Sequence, residues 1–279
     1  MSFRVNTPNQ STLSSLRHSR ENQEKLKKTM EKLSSGLKIN RASDDAAGLA
    51  IAEQMGLELR GLEQGMENVY DGLSLTQVAD GALSQASDQL LRMRELAMTS
   101  ANGTLNDGQR NVIQAEFDSL KSEITRISGS TEFNGHQLLD GSAGDMNIST
   151  GTDSGGSPDE LTLDLSANMD ATSLGLDASS VSGADGSSAL AAMDDIDAAM
   201  AMISSKRSEF GGFSNRLVSA QHSLAIAAEN TYAARSRIQD ADFAVESANL
   251  VRNQILGQAS NAVQLQSMGL AGTALNLLK

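Results

Sequence analysis

Between Leu217 and Ala262 the sequence repeats with a period of seven. Ala220, Ala227, Ala234, Ala241, Ala248, Ile255 and Ala262 stand at strict heptad intervals, and Leu217, Leu224, Thr231, Ile238 and Val245 form a companion line three residues earlier in each repeat. Strand side chains alternate with period two, so a seven-residue apolar repeat of this length points to helix packed along helix. Small Ala on one line and larger side chains on the other let the two backbones approach closely. No proline occurs from Ser187 to Lys279, which predicts one long helix over that stretch, with Gly211-Gly212 as the expected bend.

The other end of the chain offers partners for this helix. Leu26, Met30, Leu33 and Leu37 alternate at spacings of four and three, a coiled-coil seam within a helix over about residues 9–37. Its middle, Arg17 to Lys25, carries no apolar residue. So narrow a stripe cannot hold a helix by itself, since a buried Leu contributes only ~1.5–3 kcal/mol against about 1–2 kcal/mol of backbone entropy per ordered residue. Ser43-Asp44-Asp45 then reads as an N-cap. A proline-free helix follows to about Ala101, its seam running through Met55, Leu59, Leu62, Met66, Val69 and Leu73 and on to Leu83, Leu90 and Ala97. Asn102-Gly103 ends it, and a third helix carries Ile113, Phe117, Leu120, Ile124 and Ile127 up to Gly129.

Residues 140–186 change character. Gly, Ser, Asp and Thr dominate, with short alternating runs at Met146–Ser149 and Leu161–Leu165 around Gly155-Gly156-Ser157-Pro158, which predicts a small β-hairpin at the central tip, polar enough to face solvent. The fold class expected is therefore mainly α: a long antiparallel helical bundle or coiled coil formed by the N- and C-terminal segments, capped by that hairpin.

Composition agrees and removes several functions. With no Trp, two Tyr and six Phe in 279 residues, packing falls to aliphatic side chains, which suits thin helical seams. A net charge of −13 argues against a nucleic-acid partner. Residues 1–41 do carry nine basic and three acidic side chains, but they interleave with the seam and lack stacking aromatics, so they read as a solvated or partner-facing helix side. No stretch reaches the length of a membrane span. His18, His136 and His222 are too scattered for a metal. Asp44-Asp45 and Asp194-Asp195 point about 100° apart on a helix, and Gly61 and Gly65 follow no strand. No enzyme and no cofactor are expected.

Several stretches carry more than periodicity. Met30-Glu31-Lys32-Leu33-Ser34-Ser35-Gly36-Leu37-Lys38-Ile39-Asn40, with Asp44-Asp45-Ala46-Ala47-Gly48-Leu49-Ala50-Ile51, closely resembles the N-terminal signature of bacterial flagellins, and Leu91–Ala97 and Thr131–Gly135 continue it. Asn215-Arg216-Leu217, Ala234–Ala244 and Gln254–Ala259 resemble the C-terminal signature. The resemblance implies a structural subunit of the extracellular flagellar filament, exported through the flagellar secretion channel without a signal peptide. It implies self-polymerisation, sister flagellins, cap and hook-junction proteins and an export chaperone as partners, and a vertebrate Toll-like receptor contact at Arg92, Leu96 and Glu116.

On this reading residues 1–43 and 250–279 pair as inner-tube helices, 44–139 and 187–249 form an outer helical bundle, and 140–186 replace larger outer domains. The expected self-assembly seam is Leu26, Met30, Leu33, Leu37, Ile255, Ala259, Ala262 and Leu277. The expected intramolecular seam is Leu62, Val69, Leu217, Ala220, Leu224, Ala227, Ile238 and Val245. A hook–filament junction protein, which shares similar ends, is the alternative. It is disfavoured by the closeness of the Ser236–Ala244 and Gln254–Ala259 stretches to flagellin.

Overall fold

Helices form where apolar spacing and missing prolines predict them, and they stop where a side chain can take up the freed backbone groups. The computed structural model describes residues 10–151, 160–183 and 186–276. Its elements are α1 (Gln10–Ser35), α2 (Ala46–Ser100), α3 (Asp107–Ser130), β1 (Glu132–Phe133), β2 (His136–Gln137), β3 (Gly144–Ser149), β4 (Glu160–Leu165), α4 (Ser187–Gln239) and α5 (Phe243–Asn276). Within the expected cap Ser43-Asp44-Asp45 it is Asp45 that caps α2, its carboxylate accepting the Gly48 N–H at 3.0 Å. Asn106 and Gln109 cap α3 reciprocally. The fold is mainly α, with long helices and two small antiparallel hairpins. It divides into two compact units, one of residues Met1–Leu59 and Asn230–Lys279, the other of Arg60–Glu229.

In the Arg60–Glu229 unit, α2 and α4 run antiparallel. Tyr70 meets Gln221, Asp80 meets Arg207 and Arg94 meets Asp197, so residue numbers rise on one helix as they fall on the other. The core lies along this pair and includes Leu62, Val69, Leu83, Leu90, Leu217 and Leu224, with Phe117 and Ile124 added from α3. Ala220 and Ala227 pack half-buried against it.

The tip departs from expectation. β3 and β4 pair antiparallel from Gly144 opposite Leu165 to Ser149 opposite Glu160; the expected turn at 155–158 lies outside the described residues. Only one face of the hairpin meets solvent: Asp145, Asn147, Thr162 and Asp164 are exposed, while Ile148, Leu163 and Leu165 are buried in the core. Met169, Leu174, Leu176 and Val181 of the following loop join them. Two glycines seven residues apart on α2 make room. A Cβ on Gly72 would lie 2.3 Å from Ile148 Cδ1, and one on Gly65 would lie 2.7 Å from the Thr150 carbonyl oxygen. Gly65→Ala should therefore lift the hairpin from α2 and destabilise the unit by about 1–3 kcal/mol, measured as a shift of the chemical-denaturation midpoint. An unchanged midpoint would mean the hairpin is not held there.

Three side chains on one face of α3 secure the loop that leads from β4 to α4. Lys121 Nζ donates to the carbonyls of Asp177 and Ser179 at 3.0 and 3.1 Å. Gln114 Oε1 accepts from the N–H groups of Val181 and Ser182 at 2.7 and 3.1 Å. Arg110, only 1 % exposed, donates to three carbonyls: Ser100 at 3.0 Å, Gly183 at 2.7 Å and Asn102 at 3.2 Å. On β4, the hydroxyl of Ser166 and then its N–H hold the Asp164 carboxyl below its usual range. Lys206 Nζ stands 3.6 Å away and ties this strand to α4.

The unit containing both termini corrects the single-helix expectation for 187–279. α4 continues through Gly211-Gly212 and stops at Gln239. There the backbone turns outward: the Ala241 N–H donates to the Gly36 carbonyl at 2.9 Å and the Lys38 N–H to the Gln239 carbonyl at 2.7 Å. Asp242 then starts α5 by accepting the N–H groups of Ala244 and Val245 at 2.9 and 3.1 Å. Gly36 makes the matching turn after α1 at φ +73°. Two interruptions in two helix pairs thus satisfy each other.

Candidate assembly surface

α1 and α5 lie against each other, and polar groups make much of the contact. Asn22 Nδ2 donates to the Asn253 carbonyl at 2.8 Å. Asn253 Nδ2 donates to Thr29 Oγ1 at 3.4 Å, and that hydroxyl donates to the Lys25 carbonyl at 2.9 Å. Lys32 and Glu246 approach to 3.7 Å. Asn22 and Thr29 are buried, so α1 meets α5 both in its apolar-free middle, at Asn22, and in the following turns. Sequence periodicity missed these residues because it weighs only apolar positions; their own seven-residue spacing was the available signal.

The apolar side chains point elsewhere. Met30 is 48 % and Ile255 60 % exposed. Ala259 and Ala262 are exposed, while Leu26, Leu33 and Leu37 are half-buried. Leu13, Val251, Leu256, Val263 and Leu265 add to the uncovered surface. Leu277 lies outside the described residues. Among the side chains described on α5, none is buried. Of the expected intramolecular seam, Ile238 is half-buried, but Val245 is 54 % exposed. Val245 follows the break at 240–242 and sits in the first turn of a new helix, which takes it off the α4 line and onto the open face.

On α2 and α3 the three residues expected at a receptor contact separate. Arg92 donates to Glu116 at 2.8 and 3.1 Å and to Glu95 at 3.0 Å. Glu116 first, then Glu95, raises the guanidinium pKa above its ordinary value. Both members of the Arg92–Glu116 pair are exposed. Leu96 corrects the expectation: it is 6 % exposed and belongs to the core.

Comparison with known proteins assigns this arrangement. Residues 5–144 match the bacterial flagellin N-terminal helical region, and residues 193–278 match the bacterial flagellin C-terminal helical region. The chain belongs to the bacterial flagellin family.

Relatives match it nearly end to end. A flagellin of Halalkalibacterium halodurans is 42 % identical over 253 residues, covering 90 % of this chain and 91 % of the relative. The flagellar filament 33 kDa core protein of Treponema phagedenis is 39 % identical over 264 residues, covering 91 % and 92 %. The crystal structure of Bacillus cereus flagellin is 33 % identical with a TM-score of 0.50, covering 57 % of this chain and 88 % of that one. The two matched flagellin regions contain every expected seam residue and both α1 and α5, leaving the tip between them.

Proposed function

We propose that this flagellin is a structural subunit that polymerises through residues 1–43 and 250–279 into the bacterial flagellar filament used for motility. The observation that carries the reading is α5, a 34-residue helix on which no described side chain is buried within its own chain. Apolar surface left open in this way marks a protein–protein contact. Burying Met30, Ile255 and their neighbours against other subunits would contribute about 1.5–3 kcal/mol for each large side chain. The paired termini would then line the inner tube, residues 44–139 and 187–249 the outer tube, and the short tip would take the place of larger outer domains.

Family membership supports the remaining partners. The subunit is secreted through the flagellar channel, escorted by an export chaperone, and added beneath a cap protein onto hook-junction proteins or sister flagellins. A vertebrate Toll-like receptor meeting this surface would touch Arg92 and Glu116 rather than Leu96.

The test is polymerisation of the purified full-length chain seeded with filament fragments and viewed by electron microscopy. Growth into long tubes of uniform width is expected. Persistent monomer would sink the filament reading, and closed rings alone would move the chain to a junction role.

A further inference from the structure

The apolar heptad lines do little to align α1 on α5, because Met30, Ala248, Ile255 and Ala262 are exposed and only Leu26, Leu33 and Leu37 are half-buried. Leu26 and Leu33 stand seven apart, as do Met30 and Leu37, and so do Ala248, Ile255 and Ala262. Those lines repeat every seven residues and stand mostly open, so they do not distinguish one alignment of the helices from another a heptad away. What does not repeat is the polar contact. A slip of seven brings Glu246 or Ser260 to the place of Asn253, and Leu250 or Gln264 to the place of Gly257. Gly257 matters because a Cβ built there would already lie 3.2 Å from Asn22 Nδ2, and a full side chain would displace the Asn22 amide. Asn22, which donates to the Asn253 backbone carbonyl, would lose that bond by this displacement, and Thr29 would lose the Asn253 amide while keeping its bond to the Lys25 carbonyl; displacing a buried amide from its acceptor is costly.

We propose that Asn22, Thr29, Asn253 and Gly257 form a register lock that admits one alignment of α1 on α5, and that this alignment determines the lattice of the polymer. The lock works by discrimination rather than affinity, as a single buried Asn does in coiled coils. From the lock the alignment continues through Lys32–Glu246 to the paired breaks at Gly36–Ala241 and Lys38–Gln239. The lattice half of the proposal rests on the filament reading; the alignment half does not.

The chain has no cysteine, so Lys32→Cys with Glu246→Cys in the full chain reports alignment through a short bis-maleimide, read as the intrachain product on a denaturing gel. Adding Asn22→Leu should keep the far-ultraviolet helix signal while the cross-linked fraction falls roughly three-fold or more, and polymers should divide among more than one lattice. Asn22→Gln, which retains an amide, should recover most of the parental yield. Should Asn22→Leu lose helix, Thr29→Val decides, because it removes one hydroxyl at constant shape; a fall of about two-fold is expected. Equal cross-linking in the parent, Asn22→Leu and Thr29→Val would overturn the lock. Misaligned variants that still build one lattice would overturn its link to the polymer. A parent that cross-links but never polymerises would overturn the filament reading and leave the lock standing.

Discussion

Trimming the chain to residues 44–249 is expected to abolish polymerisation and leave a helical monomer. The trimmed chain keeps the whole core cluster, Leu62 to Leu224, together with the three α3 anchors and both hairpins, so its stability is preserved. It loses α1 and most of α5, whose large apolar side chains are mainly exposed within the chain, with Leu26, Leu33 and Leu250 half-buried. Sedimentation should show a single monomeric species, circular dichroism a helical one, and seeded electron microscopy no growth. A trimmed chain that still formed filaments would place the assembly contacts on the Arg60–Glu229 unit instead.

Arg110→Ala should be the most damaging single substitution in the Arg60–Glu229 unit. The guanidinium is fully enclosed and faces carbonyl oxygens at the end of α2, where helical carbonyls lack partners and the helix dipole is negative. Its remaining contact, to Gly183, ties down the loop that enters α4. Alanine strips the Ser100 and Gly183 carbonyls of their donor and leaves Asn102 only the Leu105 N–H at 3.2 Å, at a cost of about 3–5 kcal/mol. For a unit of this size the melting temperature should fall by roughly 6–20 °C. Arg110→Lys keeps the charge but not the fork, and should recover only part of the loss. A melt of Arg110→Ala within about 2 °C of the parent would show that water or rearranged backbone serves those carbonyls equally well.

Arg110 also illustrates what a sequence read by periodicity leaves out. It sits three residues before Ile113 on α3, looks like any surface cation, and is central only because the Ser100, Asn102 and Gly183 carbonyls converge on it. Leu96 and Val245 fail in the complementary way. The flagellin resemblance placed Leu96 at a receptor contact and heptad spacing placed Val245 in a seam, yet the first is enclosed and the second uncovered. A heptad position says which line a residue occupies, and not whether a neighbour lies along that line. Gly65 and Gly72 stand in the sequence only as residues of low helix propensity. That they seat a hairpin from the tip required the tip to be in place.

The sequence by itself determined the helices, the antiparallel return of the chain, the flagellin resemblance and the surplus of apolar surface at the two ends. All of these follow from local spacing or from composition, which need no partner to be read. The tertiary structure decided where the long C-terminal helix breaks, which face of the tip is buried, how α1 and α5 are aligned, and which expected contacts reach solvent. Each of those depends on a hydrogen bond or a close approach between residues tens to hundreds of positions apart: Gly36 with Ala241, Gly72 with Ile148, Asn22 with Asn253 and Arg110 with Gly183. Such energies exist only once the chain has brought both partners together.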